Sequence, residues 1–422
     1  MEALSDVAQY CSQLTREARA AARRLASMPG SVKDSWLLRC ADHLEAEADA
    51  ILAANEHDLR SAADHGLTAA QIDRLTLTRP RIAAMAAGLR QVAALRDPVG
   101  EIVEGGVRPN GLEIRKVRVP IGVILFLYES RPNVTVDAAG LAVKSGNAII
   151  LRGGKEALNT NRALHYVLQE ALQECHLPPH SVQLVAHTDR AIVGELLQRG
   201  EEIDLCIPRG GESLIRRVVA EARMPVLKHY RGNCHVYVDR AADVEMAERI
   251  VLNAKCQRPG VCNAAESLLV HQSLASSFLP RIVNQLQAHG VEVRGCPETM
   301  RAGPHVRPAT DEDYAAEFLD LIISVRVVPD LEAALDHIAR FGSRHTEAIV
   351  TQDLEAARRF VQEVDAAAVM VNASTRFHDG YEFGLGAEIG ISTDKFHARG
   401  PCGLRELTTT KYIVMGTGQV RG

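Results

Sequence analysis

Residues 121–127 read Ile-Gly-Val-Ile-Leu-Phe-Leu, a short apolar run that is followed by a segment with helical spacing. Four further apolar runs come after it, with helical segments between them; these runs cover residues 148–151, 182–186, 203–207 and 235–238. Strands that alternate with helices imply right-handed βαβ crossovers and a mostly parallel sheet. This stretch therefore predicts an α/β unit.

A second series with the same alternation follows residue 243. Its apolar runs cover residues 267–270, 322–328, 348–351 and 369–372, and helical segments lie between them. Ahead of both series, residues 7–95 place apolar side chains at three- and four-residue spacing, which is typical of amphipathic helices. We therefore expect one domain from residues 1–101 with 120–240, and a second domain from residues 241–380.

Residues 102–119 alternate apolar and polar side chains around Asn110-Gly111. Asn-Gly suits the two positive-φ positions of a type I′ turn, so these residues predict a β-hairpin. Within a tail from 395 to 422, residues 407–415 are rich in Thr and β-branched side chains and predict a closing strand. Such a hairpin has little of its own to pack against, so we expect it to pack on another domain or another subunit.

The composition excludes several classes of protein. The 422 residues carry 48 basic and 53 acidic side chains, a net charge of −5, and only 4% are aromatic. Nucleic-acid binding uses a basic excess and stacking surfaces, and this chain has neither. No apolar run approaches the roughly 18 residues of a membrane span. Nine cysteines without a CxxC pair, and no signal-like leader, indicate reduced thiols and a cytoplasmic protein.

The sequence has no GxGxxG after the first strand, no P-loop and no HExxH motif. The strongest candidate for a catalytic site is instead the segment 253–264. In this segment Pro259-Gly260 precede Cys262, in a loop between a helix and a strand. A cysteine in such a loop can be exposed, and the charge of Lys255 or Arg258 would favour its thiolate. The alternative is an inert cysteine buried in a turn.

Four blocks of sequence stand out along the chain: Tyr-Glu-Ser-Arg-Pro-Asn-Val-Thr at 128–135, Ile-Pro-Arg-Gly-Gly at 207–211, Gln-Arg-Pro-Gly-Val-Cys-Asn at 257–263, and Gly-Leu-Gly-Ala-Glu-Ile-Gly-Ile-Ser at 384–392. They resemble the gamma-glutamyl phosphate reductase branch of the aldehyde dehydrogenase superfamily. They lie in family order and, with the helical N-terminal region, span nearly the whole chain. The resemblance implies an α/β, aldehyde dehydrogenase-like fold: two parallel-sheet α/β domains and a small hairpin-and-tail oligomerisation element, residues 102–119 and 395–422.

The resemblance implies that Cys262 is the catalytic nucleophile, which attacks an acyl carbonyl and forms a thioacyl species. It also implies that the Asn133 side-chain amide and the Cys262 backbone N–H form the oxyanion hole. Pro-Asn before an apolar helix would equally suit an N-cap, so capping is the alternative for Asn133. Lys255, Arg258 and Asn263 are substrate-binding candidates only because they are close to Cys262 in the sequence.

The resemblance further implies NADPH/NADP as cofactor and no metal. The implied cofactor-binding residues are Arg152, Gly153, Gly154, Lys155, Arg209, Gly210, Gly211 and Glu317. Glycines let the backbone approach a ligand, and a helix start favours anions, but ordinary turns and a solvated acid are the alternatives. NAD-preferring relatives commonly have a glutamate where this chain has Lys155, whose charge suits a 2′-phosphate.

Hydrolytic aldehyde dehydrogenases carry a water-activating glutamate at the place that matches residues 229–234. Here those residues read His-Tyr-Arg-Gly-Asn-Cys and contain no carboxylate. A reductase should lack that base, because attack by water would destroy the thioacyl intermediate. His229 could act as an acid or base, although a lone histidine at a strand edge is more often structural.

The implied reaction is the NADPH-dependent reduction of L-glutamate 5-phosphate to L-glutamate 5-semialdehyde and phosphate, in proline biosynthesis. The product would cyclise to 1-pyrroline-5-carboxylate, and a separate glutamate 5-kinase would supply the substrate. We expect a homo-oligomer, dimer or tetramer, in the cytoplasm. The alternatives are a hydrolytic NAD(P)-dependent aldehyde dehydrogenase and a non-catalytic binding protein with the same fold, which would be expected to lack Cys262 or Asn133.

Overall fold

The computed structural model describes residues 6–62 and 66–421, so small parts of the expected ranges 1–101 and 395–422 lie outside the described residues. The chain divides into two compact units. The first comprises Met1–Lys228, Gly384–Gly390 and Cys402–Gly422, and the second comprises His229–Phe383 and Ile391–Pro401. Each unit has its own parallel sheet with helices between the strands, which confirms the expected pair of α/β domains.

Helices form the N-terminal part of the first unit: α1 (Val7–Leu25), α2 (Gly30–Ala46), α3 (Ala48–Arg60), α4 (Ala69–Leu75) and α5 (Arg79–Ala94). Helix α1 begins at a side-chain cap, where Asp6 accepts a hydrogen bond from the Gln9 N–H at 2.8 Å. In α2, Leu37, Ala41 and Leu44 share one helix face and are fully buried. The helical prediction for residues 7–95 is therefore confirmed for the described part of that range; residues 63–65 lie outside it. Among the described residues, no helix has both the length and the apolar composition that a membrane span requires.

The parallel sheet of the first unit has strand order β5-β4-β3-β6. The strands before residue 228 are β1 (Ile102–Val107), β2 (Glu113–Pro120), β3 (Val123–Tyr128), β4 (Ala148–Arg152), β5 (Val182–Leu184) and β6 (Leu205–Arg209), and the helices are α6 (Asn133–Lys144), α7 (Leu158–Glu174), α8 (Arg190–Leu197) and α9 (Glu212–Glu221). All six residues of β3 are buried, because helices cover both faces of this central strand. The strand order reverses between β3 and β6, and ligands of such sheets bind beyond the carboxyl ends of the strands at that point.

The second unit contains a larger parallel sheet of order β10-β9-β11-β8-β7-β12-β13. Its strands are β7 (Cys234–Val238), β8 (Ala265–His271), β9 (Glu292–Gly295), β10 (Arg307–Pro308), β11 (Ile322–Val328), β12 (Thr346–Val350) and β13 (Ala368–Val371), followed by the short pair β14 (Ile391–Ser392) and β15 (Gly400–Pro401); its helices are α10 (Val244–Cys256), α11 (Leu279–Ala288), α12 (Pro297–Ala302), α13 (Asp311–Ala315), α14 (Leu331–Phe341) and α15 (Leu354–Glu363). Successive residues of β7 face opposite sides. Val236 and Val238 belong to the apolar cluster with α10 and α11, whereas Tyr237 belongs to the cluster with α14 and α15.

Strand β7 corrects the expected domain boundary. The sequence analysis groups residues 235–238 with the first sheet and ends that domain at 240. In the structure β7 pairs with β8 and β12, and the second unit begins at His229. The local pattern marks a strand, but both of its hydrogen-bonding partners come later in the chain, so the pattern cannot assign its sheet. Strand β9 is absent from the prediction because Glu292 and Arg294 interrupt its apolar positions.

A three-stranded antiparallel sheet of order β1-β2-β16 completes the first unit, with β16 at Thr408–Met415. The predicted hairpin and closing strand are confirmed, but the predicted type I′ turn is wrong. The Arg108 N–H donates to the Leu112 carbonyl at 2.8 Å, and within this loop only Gly111 has a positive φ, +84°. This is a three-residue loop that ends in a left-handed glycine. The tail strand pairs with the hairpin of its own chain.

Candidate active site

Cys262 lies in the loop between α10 and β8 and is half-buried. The loop is held against the start of β7. A Cβ at Gly232 would overlap the Cys262 carbonyl oxygen and would lie 2.6 Å from the Cys262 Cα, so only glycine fits there. Cys234 Sγ also lies 3.2 Å from the same carbonyl oxygen. The position of the Cys262 backbone is therefore determined by contacts with the segment that begins the second unit.

Two histidines stand beside the Cys262 thiol. The Cys262 Sγ and one ring nitrogen each of His229 and His345 all lie within 4.8 Å of one another. The ring centroids of His229 and His345 are 5.2 Å apart, and a third histidine, His378, lies 5.1 Å from His345. Burial, and then the neighbouring histidines, lower the pKa of His378 to about 3, so it is neutral at physiological pH. Cysteine and histidine are also ligands of zinc, and the expectation of no metal stays a prediction.

Arg376 is a cation of this site that the sequence analysis missed. Its Nε donates to the Gln257 side-chain oxygen at 2.8 Å, and its Nη1 donates to the Asn263 side-chain oxygen. Burial and the positive charge of Arg258 lower the pKa of Arg376, while the negative charge of Asp379, and then that of a Cys262 thiolate, opposes that shift. Two guanidinium groups thus accompany the loop of Cys262. Arg376 follows β13, more than one hundred residues after the loop, so no local motif marks it.

Asn263 and Lys255 have structural partners. The Asn263 amide is buried, donates to the His378 carbonyl at 3.0 Å and accepts from Arg376. Lys255 is fully buried, and its Nζ lies 2.6 Å from Glu266 Oε2. Burial raises the pKa of Glu266 to about 7, while Lys255 opposes the shift. Lys255 therefore neutralises Glu266, and the exposed Arg258 is the substrate candidate whose side chain is accessible.

Glu317 lies in the same unit and supports the same segment. Its Oε1 accepts a hydrogen bond from the Gly232 N–H at 2.8 Å, and Gly232 is the residue against which the Cys262 carbonyl packs. The carboxylate is half-buried. Its predicted contact with a nicotinamide ribose stays a prediction.

Asn133 is the first residue of α6, and Pro132 is the N-cap. The Asn133 Nδ2 donates to Asp137 Oδ2 at 3.0 Å, one turn further along the helix. Burial raises the pKa of Asp137 to about 6, and the bond from Asn133 opposes the shift. The side chain thus does not cap α6, and capping does not account for an asparagine at this position.

The turn after β4 contains the predicted ribose-binding residues. Arg152 Nη1 donates to the Gly153 carbonyl at 3.0 Å, while the buried Arg152 Nε has no hydrogen-bond partner among the described residues. A Cβ at Gly153 would overlap the Asn161 side chain, and one at Gly154 would lie 2.5 Å from the Glu156 carboxyl carbon. A side chain at either position would therefore have to displace a side chain of the same unit. Lys155 is exposed.

The loop after β6 carries Arg209, Gly210 and Gly211, and Gly211 is the N-cap of α9. The Gly211 N–H donates to the carboxylate of the exposed Glu129 at 3.1 Å. A Cβ at Gly211 would meet nothing within 4 Å, so there is space beside this helix start, although its N–H is engaged with Glu129. The unpartnered buried guanidinium nitrogen of Arg152 and the exposed Lys155 fit a phosphate-bearing cofactor, whereas the Glu129 carboxylate would repel its phosphates.

Comparison with known proteins identifies the family. The model of the aldehyde dehydrogenase family matches residues 5–319. The chain belongs to the aldehyde dehydrogenase family. It is 58% identical over 417 residues to a gamma-glutamyl phosphate reductase of Rhodopirellula baltica (99% of this chain, 96% of the relative), and 56% identical over 409 residues to one of Carboxydothermus hydrogenoformans (97% and 99%). These matches confirm the branch that the four blocks resemble.

Solved structures confirm the fold. The crystal structure of a gamma-glutamyl phosphate reductase from Thermotoga maritima is 48% identical and superimposes with a TM-score of 0.95, covering 98% of this chain and 100% of that one. An acetylating aldehyde dehydrogenase from Geobacillus thermoglucosidasius, only 17% identical, has a TM-score of 0.72 and shares the fold. The predicted aldehyde dehydrogenase-like α/β architecture is therefore confirmed.

Replacing Lys255 tests the buried ion pair. We expect Lys255→Met to lower the free energy of unfolding by about 3–5 kcal/mol in urea denaturation, because the buried Glu266 carboxyl loses its partner and must either stay charged and unpaired or take up a proton. Arg340→Met, which removes the exposed pair with Asp311, is the matched control and should cost less than about 1 kcal/mol. A Lys255→Met variant with wild-type stability and a raised KM would instead make Lys255 a substrate ligand.

Proposed function

We propose that this protein reduces L-glutamate 5-phosphate to L-glutamate 5-semialdehyde with release of phosphate, using NADPH, as a step of proline biosynthesis. The observation that carries the proposal is that the chain is 56–58% identical to gamma-glutamyl phosphate reductases over nearly its whole length. The loop of Cys262, with Arg258 and Arg376 nearby, supports it. The aldehyde product then cyclises to 1-pyrroline-5-carboxylate. A separate glutamate 5-kinase is the proposed supplier of the acyl phosphate.

The residues of the candidate active site have the following proposed roles. Cys262 attacks the acyl carbon and displaces phosphate, which forms a thioester. The side-chain amide of Asn133 and the Cys262 backbone N–H are the proposed donors to the acyl oxygen, and one such donor is commonly worth about 3–4 kcal/mol in the transition state. Arg258 is the proposed partner of a substrate anion, and Asn263 supports it indirectly by holding Arg376.

The proposed cofactor, NADPH, supplies the hydride that reduces the thioester. In the first unit, the proposed holding residues are Arg152, Gly153, Gly154 and Lys155 after β4, and Arg209, Gly210 and Gly211 after β6. Glu317, in the second unit, is the proposed ribose ligand. Residues 229–234 offer no carboxylate to activate water, which favours reduction of the thioester over the hydrolytic alternative.

The proposed assembly is a homo-oligomer, dimer or tetramer, in the cytoplasm. All six residues of β1 are exposed, and β1 and β16 are the two edges of the three-stranded sheet. The sheet also exposes large apolar side chains: Ile102, Val103, Val107, Tyr412, Val414 and Met415. Exposed apolar side chains on a sheet with open edges favour pairing with another subunit.

An assay in the reverse direction tests the reaction. Purified protein, NADP, phosphate and L-glutamate 5-semialdehyde should yield NADPH, and Cys262→Ala should abolish the signal while circular dichroism stays unchanged. Cys256→Ala is the control and should keep most activity, because burial raises the pKa of the Cys256 thiol and leaves it unreactive. NADPH formation that does not depend on phosphate would contradict the acyl-phosphate substrate, and equal losses in the two variants would contradict the assignment of Cys262.

The charge at Lys155 tests cofactor choice. We expect the wild type to favour NADPH over NADH by at least about tenfold in kcat/KM, since a partly screened contact with the 2′-phosphate is worth about 1–3 kcal/mol. Lys155→Glu should erode or reverse the preference in steady-state kinetics at matched ionic strength. Lys411→Glu makes the same charge change at an exposed site on β16 and should leave the ratio alone. A wild-type ratio in Lys155→Glu would show that Lys155 does not read the 2′-phosphate.

Deleting residues 108–112 tests the assembly. Loss of this loop should separate β1 from β2 and shift sedimentation toward the monomer. The control replaces Pro109, Asn110 and Gly111 with Gly-Ser-Gly, which keeps both strands, and should sediment as the wild type does. An unchanged oligomer after the deletion would contradict the proposed role of the hairpin.

A further inference from the structure

His229 is half-buried beside the nucleophile, and one of its ring nitrogens has a defined partner. The Nδ1 lies 2.8 Å from the Ile391 carbonyl oxygen. A carbonyl can only accept a hydrogen bond, so Nδ1 carries the proton and the neutral ring holds its lone pair on Nε2. A backbone acceptor that sets the tautomer in this way is how proteins orient a histidine for proton transfer or metal binding.

The other two histidines of the cluster are engaged with a hydroxyl group. The Thr346 Oγ1 lies 2.7 Å from His345 Nδ1 and 2.7 Å from His378 Nδ1, and a single hydroxyl proton can serve only one of these bonds as donor. Both of these histidines are fully buried, whereas His229 is only partly buried. Because a proton carrier must meet both the thiol and the departing group, the partly buried His229 is the one suited to the task.

We propose that His229 is a catalytic acid–base residue that takes the thiol proton of Cys262 and delivers it to the departing phosphate. This inference rests on the proposed function. The S–H bond of Cys262 breaks as its proton moves to His229 Nε2, and the thiolate forms the C–S bond to the acyl carbon. The C–O bond to phosphate then breaks, its electron pair leaves on the phosphate oxygen, and that oxygen takes the proton from His229. Nothing is oxidised or reduced in this half of the reaction.

Charged and titratable groups from several elements surround His229 and Cys262. Arg376 is the cation that interacts with Cys262, and the charges of Arg258 and Asp379 act on Arg376 with opposite sign. The rings of His345 and of the neutral His378 complete the cluster, and Asp379 also acts on His378. Cys234 is buried, and burial raises its pKa well above that of an ordinary thiol, so it stays protonated. The Glu317 carboxylate is occupied by the Gly232 N–H, and Glu347, which lies near Cys234, is bonded to His235. Of these groups, His229 combines a fixed tautomer with proximity to the Cys262 Sγ.

The rate at which iodoacetamide alkylates Cys262 tests the proton acceptor without any substrate. Site-resolved mass spectrometry of the full-length protein, in buffer with EDTA so that no metal occupies the cluster, gives this rate at pH 7 and pH 9.5. We expect His229→Gln to lower the rate at pH 7 about tenfold and to leave the rate at pH 9.5 within about twofold, which corresponds to a shift of about one pH unit in thiolate formation. His289→Gln, an exposed histidine at the end of α11, is the matched control.

His229→Asn separates proton transfer from structure. The asparagine amide can replace Nδ1–H as the hydrogen-bond donor to the Ile391 carbonyl, but it cannot accept a proton from the thiol. Both variants should lower kcat with the acyl phosphate about 100-fold or more and change KM little. Wild-type alkylation in His229→Gln, or recovery of alkylation and kcat in His229→Asn, would overturn the proposal. The proposal would also be overturned if His345→Gln slowed the alkylation of Cys262 at pH 7 while His229→Gln did not. An enzyme inactive on the acyl phosphate, but with the expected alkylation profile, would overturn the proposed substrate and not the role of His229.

Discussion

The contact between Gly232 and the Cys262 carbonyl is the constraint on which the site depends. A side chain at position 232 would overlap the loop, so the start of the second unit and the nucleophile loop can only come together at a glycine. Glu317 accepts the N–H of the same glycine, and Cys234 lies against the same carbonyl. One backbone contact thus holds the Cys262 loop against the segment that begins at His229, whose ring lies close to the Cys262 thiol.

Charge is distributed around Cys262 in two layers. The inner layer is the fully buried pair of Lys255 and Glu266, which neutralise each other. The outer layer is the pair of guanidinium groups of Arg258 and Arg376, of which Arg258 is exposed. The two guanidinium groups, offset in part by the carboxylate of Asp379, are therefore the positive charges nearest the loop that are not held in a buried ion pair.

Much of the fold could be predicted from the sequence, because each element carries its own periodicity. Strand β11 has the predicted bounds, and the predicted helical segments lie between the strands of both parallel sheets. What could not be predicted is which strands pair, since β7 takes its partners from later in the chain. The loop that ends in Gly111 is a second example, because Asn-Gly is compatible with more than one turn and the strand register selects among them.

The residues of the candidate site also fall into two groups, those that could be predicted from the sequence and those that could not. A family resemblance indicated Cys262 and Asn133 from contiguous blocks, but His345, His378 and Arg376 reach the nucleophile only through the order of strands in the second sheet. A residue predicted to bind the cofactor can also have another reason to be present: a Cβ at Gly153 or Gly154 would displace the side chain of Asn161 or of Glu156. Gly211 differs, because the space beside it is open and packing within the unit does not explain it. Glycine is a favoured N-cap residue, however, so the start of α9 accounts for Gly211 without a ligand, and cofactor binding there stays a prediction.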